Sequence, residues 1–515
     1  MKLRNLANRL LLILFFVVVC CGQTVAPIIP TMALLPKDDA TAKVYYFDQY
    51  NYNEPTDQSL YDALGIKVYN DYLSALAATQ DLEEVVIAVV DSGIDMTHPV
   101  FEGRILTEYA ANFSQGVKDT TIEKWDEDHN GHGTHVAGVI ADATLDNVKI
   151  LPIKIFSGFD NDMDGYAFDN AIRYLCALKS GKPSLLIDSK GFLTIPCNSE
   201  SKQLPIVAVN LSLGTDGYNI NDEEDMIDFE KNKNAEGGFQ SVINSLLNNK
   251  ILPIVAAGNV GSNENSNNIY YSLPAACDGV LSVTGYNNTS DTYQLGDFSY
   301  HNDYVGISAP GMNIWSACSQ DFLAELENRC SRKTDYKDYT VYYVSGAPYY
   351  VYQDENNVCY YRSKGTSMAT PFVTACYAML YSDVSKTKAT DYGFASWDDT
   401  VDAKNYLNIV HKALLAAAMT YGDKGEEDYD IYFGYGVVTV ANFASAEVDQ
   451  FDEIENVLPE IPENTEEPED QKKPGGMFND EEIDWVMIGC ILGVGSFLVW
   501  MINRIKSYFT GGKTE

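Results

Sequence analysis

Histidine is scarce in this chain, with six residues among 515. Positive charge is scarce too: 35 lysines and arginines face 73 acidic residues, for a formal net charge of −38 and a pI near 4.3. That imbalance excludes nucleic acid as a partner, because phosphates would be repelled rather than neutralised. Long apolar runs are missing from the interior of the sequence and occur only at its two ends. No internal repeat is present, which excludes a solenoid or a propeller. The length has room for one large domain or for two to three ordinary ones.

The first apolar run, Leu10–Val19, follows Lys2, Arg4 and Arg9. It is short for a bilayer span and fits the middle of a signal peptide over residues 1–22, with Gly22 before the cut. A lipid-bearing cysteine at Cys20 or Cys21 and an uncleaved anchor are the alternatives. The second run, residues 485–502, has tryptophans at both edges, no internal charge, and Arg504 and Lys506 directly after it. It reads as a transmembrane helix rather than a core helix. The cations after it predict a cytoplasmic tail at 503–515, with the preceding chain outside the cell membrane as a single-pass ectodomain. Seven cysteines lie between the two runs. In an oxidising compartment these can pair, and insert borders suggest Cys176 with Cys197 and two of Cys318, Cys330 and Cys359, leaving an odd thiol.

Residues 23–59 are rich in Tyr, Asp and Pro and read as an extended arm. From Leu60 onward, helical pattern alternates with short β-branched runs such as "EVVIAVVD", "KILPIKIF", "LPIVAVNLSLG", "ILPIVAAGN" and "GVLSVTGY". Between them lie "GTHVAGVIADA", "GYAFDNAIRYLCAL", "FQSVINSLLNN" and "TSMATPFVTACYAMLYS", all with helical spacing. Apolar strands alternating with helices imply an α/β fold whose mostly parallel sheet is covered on both faces. In such sheets working residues gather at the carboxyl ends of strands. Three stretches interrupt the rhythm: residues 179–203, residues 216–238, and a Tyr-rich insert over about 319–363 that reads as an added hairpin. Residues 447–482 are Glu, Asp, Pro and Asn with few large apolar groups, and read as a disordered acidic linker.

Asp91 ends one apolar strand, where a carboxylate is costly unless a neighbour wants its charge; the bland reading is a turn cap. His132 stands between two glycines at the start of an apolar helix. Ser367 also enters a helix, where an N-cap is the commoner role and where backbone N–H groups favour developing negative charge. Taken together, an Asp that orients a His, which deprotonates a Ser, makes a hydroxyl nucleophilic at neutral pH.

Read in order, "VDSGID", "NGHGTHVAG" and "GTSMATP" resemble the three signature blocks of the subtilisin-like serine proteases, over roughly Leu60 to Asn442. The resemblance implies a three-layer subtilisin-like domain over residues 60–446 and a serine endopeptidase with catalytic Asp91, His132 and Ser367. It implies that Asn259 of "VAAGN" donates to the oxyanion, with Ala257 and Gly258 lining the substrate cleft. Ser212, Leu213 and Gly214 would pair with a polypeptide substrate as an added strand. His135 would be a structural neighbour facing the sheet or a backbone carbonyl, His129 an exposed loop residue, and His98 a part of the first block without chemistry. A zinc site on the three clustered histidines would need a continuous helix, which Asn130–Gly131 breaks, so no metal is expected there.

No cofactor is required by this chemistry. The stretch Phe159–Asn170 opens like a calcium loop at Asp160, Asp162, Asp164 and Gly165, but Ala171 stands where the closing Glu belongs. Asp164 and Gly165 are therefore read as an acidic wall of the substrate groove, with structural calcium as the alternative. Only residues 23–59 separate the expected leader from the likeness, too few for the usual folded propeptide of the family. Short arm, C-terminal helix and added loops together resemble the mycosins, membrane-anchored subtilases of secretion complexes. The rival reading is a catalytically silent subtilase-like surface module that binds a peptide or scaffolds such a complex.

Overall fold

The computed structural model describes residues 60–441, apart from 79–81, 115–124, 161–165, 182–202, 263, 288–292, 337–338 and most of 388–428, within which Val410, Leu414 and Ala418 are described. The expected leader, arm, acidic linker, apolar helix at 485–502 and tail lie outside these residues, as do Cys197, Asp162, Asp164 and Gly165. Among the described residues no helix is long and apolar enough to cross a membrane.

Two short helices, α1 (Leu60–Ala63) and α2 (Ile66–Ala77), open the described chain. The central sheet begins with β1 (Val85–Asp91), β2 (Ala111–Asn112), β3 (Val148–Lys154) and β4 (Ile206–Leu211). A separate two-stranded ribbon, β5 (Tyr218–Asn219) with β7 (Tyr270–Tyr271), brackets β6 (Leu252–Ala256) in sequence. The sheet continues with β8 (Leu281–Asn287), β9 (Gln294–Leu295) and β10 (Val305–Pro310). Its order is β10-β8-β6-β4-β1-β3-β2, all parallel, with β9 antiparallel on β8. This is the mostly parallel sheet that the runs of Val, Ile and Leu predict.

Both faces are buried, as continuous apolar strands require. Along β1, alternate residues divide between two cores: Val85, Ile87 and Val89 on one side, Val86, Ala88 and Val90 on the other. The first core is closed by α3 (His132–Ala143) and by the long helix at Thr366–Thr387, the second by α4 (Ala167–Ser180) and α6 (Phe239–Asn248). The result is three layers, helix on sheet on helix. Between β5 and α6 the insert at 216–238 forms α5 (Glu223–Asn234), capped by the Asp222 carboxylate, which accepts from Glu224 N and Asp225 N.

The Tyr-rich insert is more than a hairpin. It supplies helix α7 (Gln320–Arg329) and strands β12 (Arg332–Asp335), β13 (Thr340–Val344), β14 (Ala347–Gln353) and β15 (Cys359–Ser363). Together with β11 (Ile314–Ala317) they make a five-stranded antiparallel sheet in the order β11-β15-β14-β13-β12. Ser319 caps α7 by accepting from Asp321 N and Phe322 N, and Phe322, Leu323 and Leu326 pack under the new sheet with Tyr342, Tyr349, Val351 and Tyr361. Tyr342, Tyr349 and Tyr361 supply much of the buried face, while the guanidinium groups of Arg332 and Arg362 stand over the rings of Tyr343 and Tyr350. A hairpin reading fails because periodicity within one run cannot show that β11, outside the insert, lends it an edge. Helix α8 (Thr366–Thr387) follows directly on β15.

The opening helices seal the first core. Tyr61 Oη donates to Asp142 Oδ2 at 3.0 Å, Asn70 Nδ2 donates to the Ala143 carbonyl at 2.8 Å, and Val440 N donates to the Leu64 carbonyl at 3.0 Å. Thus both ends of the described chain meet on the same side of the sheet.

Candidate active site

Three chain segments supply the candidate site, and each ends at the carboxyl edge of the parallel sheet. Asp91 is the last residue of β1 and Ser212 is the first residue beyond β4. In the parallel ladder of β1 and β4, Val89 pairs with Asn210, so Asp91 and Ser212 each lie two residues further along neighbouring chains. The Asp91 carboxylate is 2% exposed and lies against the His132 ring, with Nδ1 at 2.8 Å from Oδ1 and 3.0 Å from Oδ2. An ionised carboxylate only accepts, so Nδ1 carries the proton and Nε2 keeps its lone pair as a base. A further hydrogen bond, from Ser92 N to Asp91 Oδ1 at 2.7 Å, holds the carboxylate in place.

Two glycines make this approach feasible. Gly131, at φ 80°, turns the chain into α3 where any side chain would strike the Phe322 ring. Gly133 lies so close to β1 that a Cβ there would meet the Gly93 carbonyl at 2.2 Å and Asp91 Cβ at 3.1 Å. The first turn of α3 is held from below by Asp128, which is fully buried. Its carboxylate accepts from Ser92 Oγ at 2.8 Å, Gly131 N at 2.9 Å, Thr134 N at 2.9 Å and Thr134 Oγ1 at 2.6 Å. Burial raises the Asp128 pKa, opposed by Lys154 and by these donors. Lys154, at the end of β3, donates to the Ser92 carbonyl and to the Glu127 carbonyl. Sequence reasoning missed Asp128 and Lys154, although Asp128 stands only four residues ahead of His132.

Ser367 enters α8 at 1% exposure. Its position is fixed by an exchange with Ser212: Ser212 Oγ donates to the Ser367 carbonyl at 2.8 Å, and Ser367 Oγ donates to the Ser212 carbonyl at 3.2 Å. The first bond has a local cause. Pro371 lies four residues on and has no N–H, so the Ser367 carbonyl lacks its helical donor and takes the hydroxyl instead. Asn259, just beyond β6, accepts from Thr366 N at 3.0 Å and from Thr366 Oγ1 at 3.3 Å through Oδ1. An amide whose oxygen is so engaged can meet an anion only through its NH₂. Asn259→Leu is expected to lower kcat by about 10²–10³-fold with a smaller change in KM, measured on a fluorogenic peptide. An unchanged kcat would remove Asn259 from the site.

Among the described residues, the next main-chain hydrogen bond after Ser212 runs from Thr215 N to the Leu273 carbonyl at 2.8 Å. Leu213 and Gly214 follow β4 beyond the sheet's edge, as Ala257 and Gly258 follow β6, the strand paired with β4. Asp164 and Gly165 lie outside the described residues. Asp160, the first acid of the calcium-like stretch, stands 3.8 Å from Arg329 Nη1.

The histidines separate into different surroundings. His135 Nε2 lies 3.0 Å from the Ile314 carbonyl, as the carbonyl alternative anticipates, and its ring meets Tyr361 edge-on. His129 is half-buried rather than exposed, with Nδ1 3.6 Å from Glu325 on α7. The His98 ring accepts from Val100 N at 3.3 Å and caps the turn at Pro99–Phe101. Burial pushes His135 down to about 3 and His98 down to about 4, so both are neutral at pH 7. Each favours the fold above the ordinary histidine value and loses that contribution as pH falls from about 6.5 toward its folded value. In calorimetry between about pH 6 and pH 4, His135→Gln should reduce the proton-linked slope of stability by close to one proton; an unaltered slope would show that His135 does not stay neutral there.

Residues 83–436 match the model of the subtilase family, peptidase S8. The chain belongs to this family. It is similar to fervidolysin of Fervidobacterium pennivorans, 25% identical over 429 residues, covering 76% of this chain and 51% of that protein. It is also similar to subtilisin-like protease 2 of Pseudogymnoascus destructans, 28% identical over 234 residues, covering 45% of this chain and 44% of that protein. This subtilase spans about half the length of the curated relatives it matches. Among solved structures, a lanthipeptide protease aligns at a TM-score of 0.46 with 20% identity, over 75% of this chain and 94% of that one. The helices α1 and α2 precede the matched region, yet they pack on the same core.

Proposed function

We propose that this subtilase is a serine endopeptidase that hydrolyses peptide bonds through an acyl-enzyme. The observation that carries the reading is the buried Asp91–His132 pair, on the strand beside the one at whose end the Ser367 hydroxyl rests. A substrate strand laid along Ser212–Gly214 would displace the Ser367 hydroxyl from its long bond to the Ser212 carbonyl. The hydroxyl then turns to His132 Nε2, gives up its proton and attacks the carbonyl carbon. The imidazolium formed is balanced by Asp91. The oxyanion falls between the Asn259 NH₂ and the Ser367 N–H at the start of α8. Collapse of the tetrahedral adduct sends the His132 proton to the leaving amine, and water repeats the sequence on the ester.

For its setting, we propose a membrane-bound ectodomain that trims secreted or surface polypeptides close to the bilayer, as a mycosin-like partner of a secretion complex would. The apolar residues 485–502, with cations following them, support this reading. Membership of the subtilase family and the strand end before Ser212 support a polypeptide substrate, and the steps above call on no cofactor.

A fluorophosphonate probe tests the enzyme reading against the silent module. Native full-length protein is expected to carry the label on the peptide containing Ser367, and Ser367→Ala is expected to carry none. Folded protein that takes no label would favour a peptide-binding or scaffolding module.

A further inference from the structure

Six cysteines lie among the described residues as free thiols, and two of them face each other. β11 and β15 run antiparallel with Ala317 opposite Tyr360, so the next pair along is Cys318 opposite Cys359. The Cys318 N–H donates to the Cys359 carbonyl at 2.9 Å, which makes this a hydrogen-bonded pair. Cα atoms in such a pair are about 5.5 Å apart, and opposed residues project to the same face. That separation is the commonest one for a disulfide. Both side chains are buried, at 1% and 0% exposure, in the apolar cluster beneath α7. The third candidate, Cys330, is half-buried at the far end of α7, where its Sγ approaches the Glu327 carbonyl at 3.6 Å.

We infer that Cys318 and Cys359 form a disulfide under oxidising conditions, closing the root of the inserted sheet. The pair stands where the chain leaves β11 for α7 and where it returns on β15, so the bond encloses α7, β12, β13 and β14. Both flanks lead to the candidate active site. Just after Cys318, Gln320 N donates to Asp95 Oδ2, Asp321 Oδ2 accepts from Asp128 N, and Phe322 packs on Gly131 ahead of His132. After Cys359, β15 runs directly into α8 and Ser367. The bond would fix the base-bearing loop and the nucleophile-bearing helix to one covalent frame.

The chemistry balances with a small disulfide such as glutathione disulfide as oxidant. One thiolate attacks it and releases one glutathione. The second thiolate then attacks the mixed disulfide and releases another; two electrons pass to the oxidant, and the two thiol protons end on the two glutathiones. Burial and the hydrogen bond to the Cys359 sulfur hold the Cys318 thiol well above its ordinary value. Exchange is therefore slow in the folded protein, and the bond forms most readily while the sheet assembles.

Full-length protein is refolded from denaturant in a buffer of glutathione and glutathione disulfide until its thiol count is constant, then denatured, alkylated with iodoacetamide without reductant, and digested. The expected result is one linked peptide pair joining Cys318 to Cys359, two hydrogens lighter than its parts, with Cys330 alkylated. Alkylation of both Cys318 and Cys359, or linkage of either to Cys330, overturns the inference. As an independent readout, the linked form should melt about 5 °C above the same protein after reduction, a difference absent in Cys359→Ala. Equal melting of linked and reduced protein would overturn the bracing role.

Discussion

Asp91→Asn is expected to lower kcat at neutral pH by about 10⁴-fold while the protein stays folded. The carboxamide has nearly the shape of the carboxylate, and one oxygen can still accept from Ser92 N. Its NH₂, however, is a donor facing His132. The ring then offers its lone pair at Nδ1 to the carboxamide, and the proton moves to Nε2, where it blocks removal of the Ser367 proton. The loss is one of tautomer and of charge balance, so it appears in kcat rather than in KM. Steady-state kinetics on a fluorogenic peptide, with circular dichroism as the check on folding, measures it. A loss below tenfold would mean that the Asp91–His132 contact at 2.8 Å is structural only.

Asp128→Ala should be the most damaging single change outside the candidate triad. Its carboxylate accepts from Ser92 Oγ, Gly131 N and both donors of Thr134, all buried. Removing it strands those donors without water and leaves the Lys154 ammonium without its buried anion. The expected cost is about 3–5 kcal/mol. That corresponds to a fall of roughly 4–6 °C in melting temperature for a domain of this size. Because Asp128 bonds Gly131 N and Thr134 N, on either side of His132 in the chain, kcat should fall along with stability. Asp128→Asn keeps one acceptor oxygen and should recover part of both. Calorimetry decides: a melting temperature within 1 °C of the parent would show that α3 needs no support from below.

Several features could be read locally, because the physics behind them is local. Strand β1 announces itself by seven consecutive residues, VVIAVVD, whose apolar members are too many for one face and so demand cover on both. Helix α3 announces itself through "GHGTHVAG", with a glycine on each side of His132. The pairing of Asp91 with His132 was legible only through a resemblance of whole blocks, since nothing in either block alone specifies the other. The role of Pro371 was visible in "TSMATP" as a residue but not as a cause. Its missing N–H matters because Ser212, from another strand, takes the Ser367 carbonyl.

The Tyr-rich insert shows the same divide. Clustered tyrosines mark strands, yet they do not say which neighbour completes the sheet, and β11 lies outside the insert. Likewise the cysteine count left three partners open, and only the register of β11 on β15 sets Cys318 opposite Cys359.

Strand and helix periods, the charge of −38 and the three motif blocks follow from covalent order alone, because propensity, burial pattern and charge are properties of short windows. Which carboxylate lies beneath which helix, and which hydroxyl rests on which strand end, was decided by packing. Those contacts join residues far apart in the chain, and only the closing of two cores around one sheet brings them within hydrogen-bonding distance.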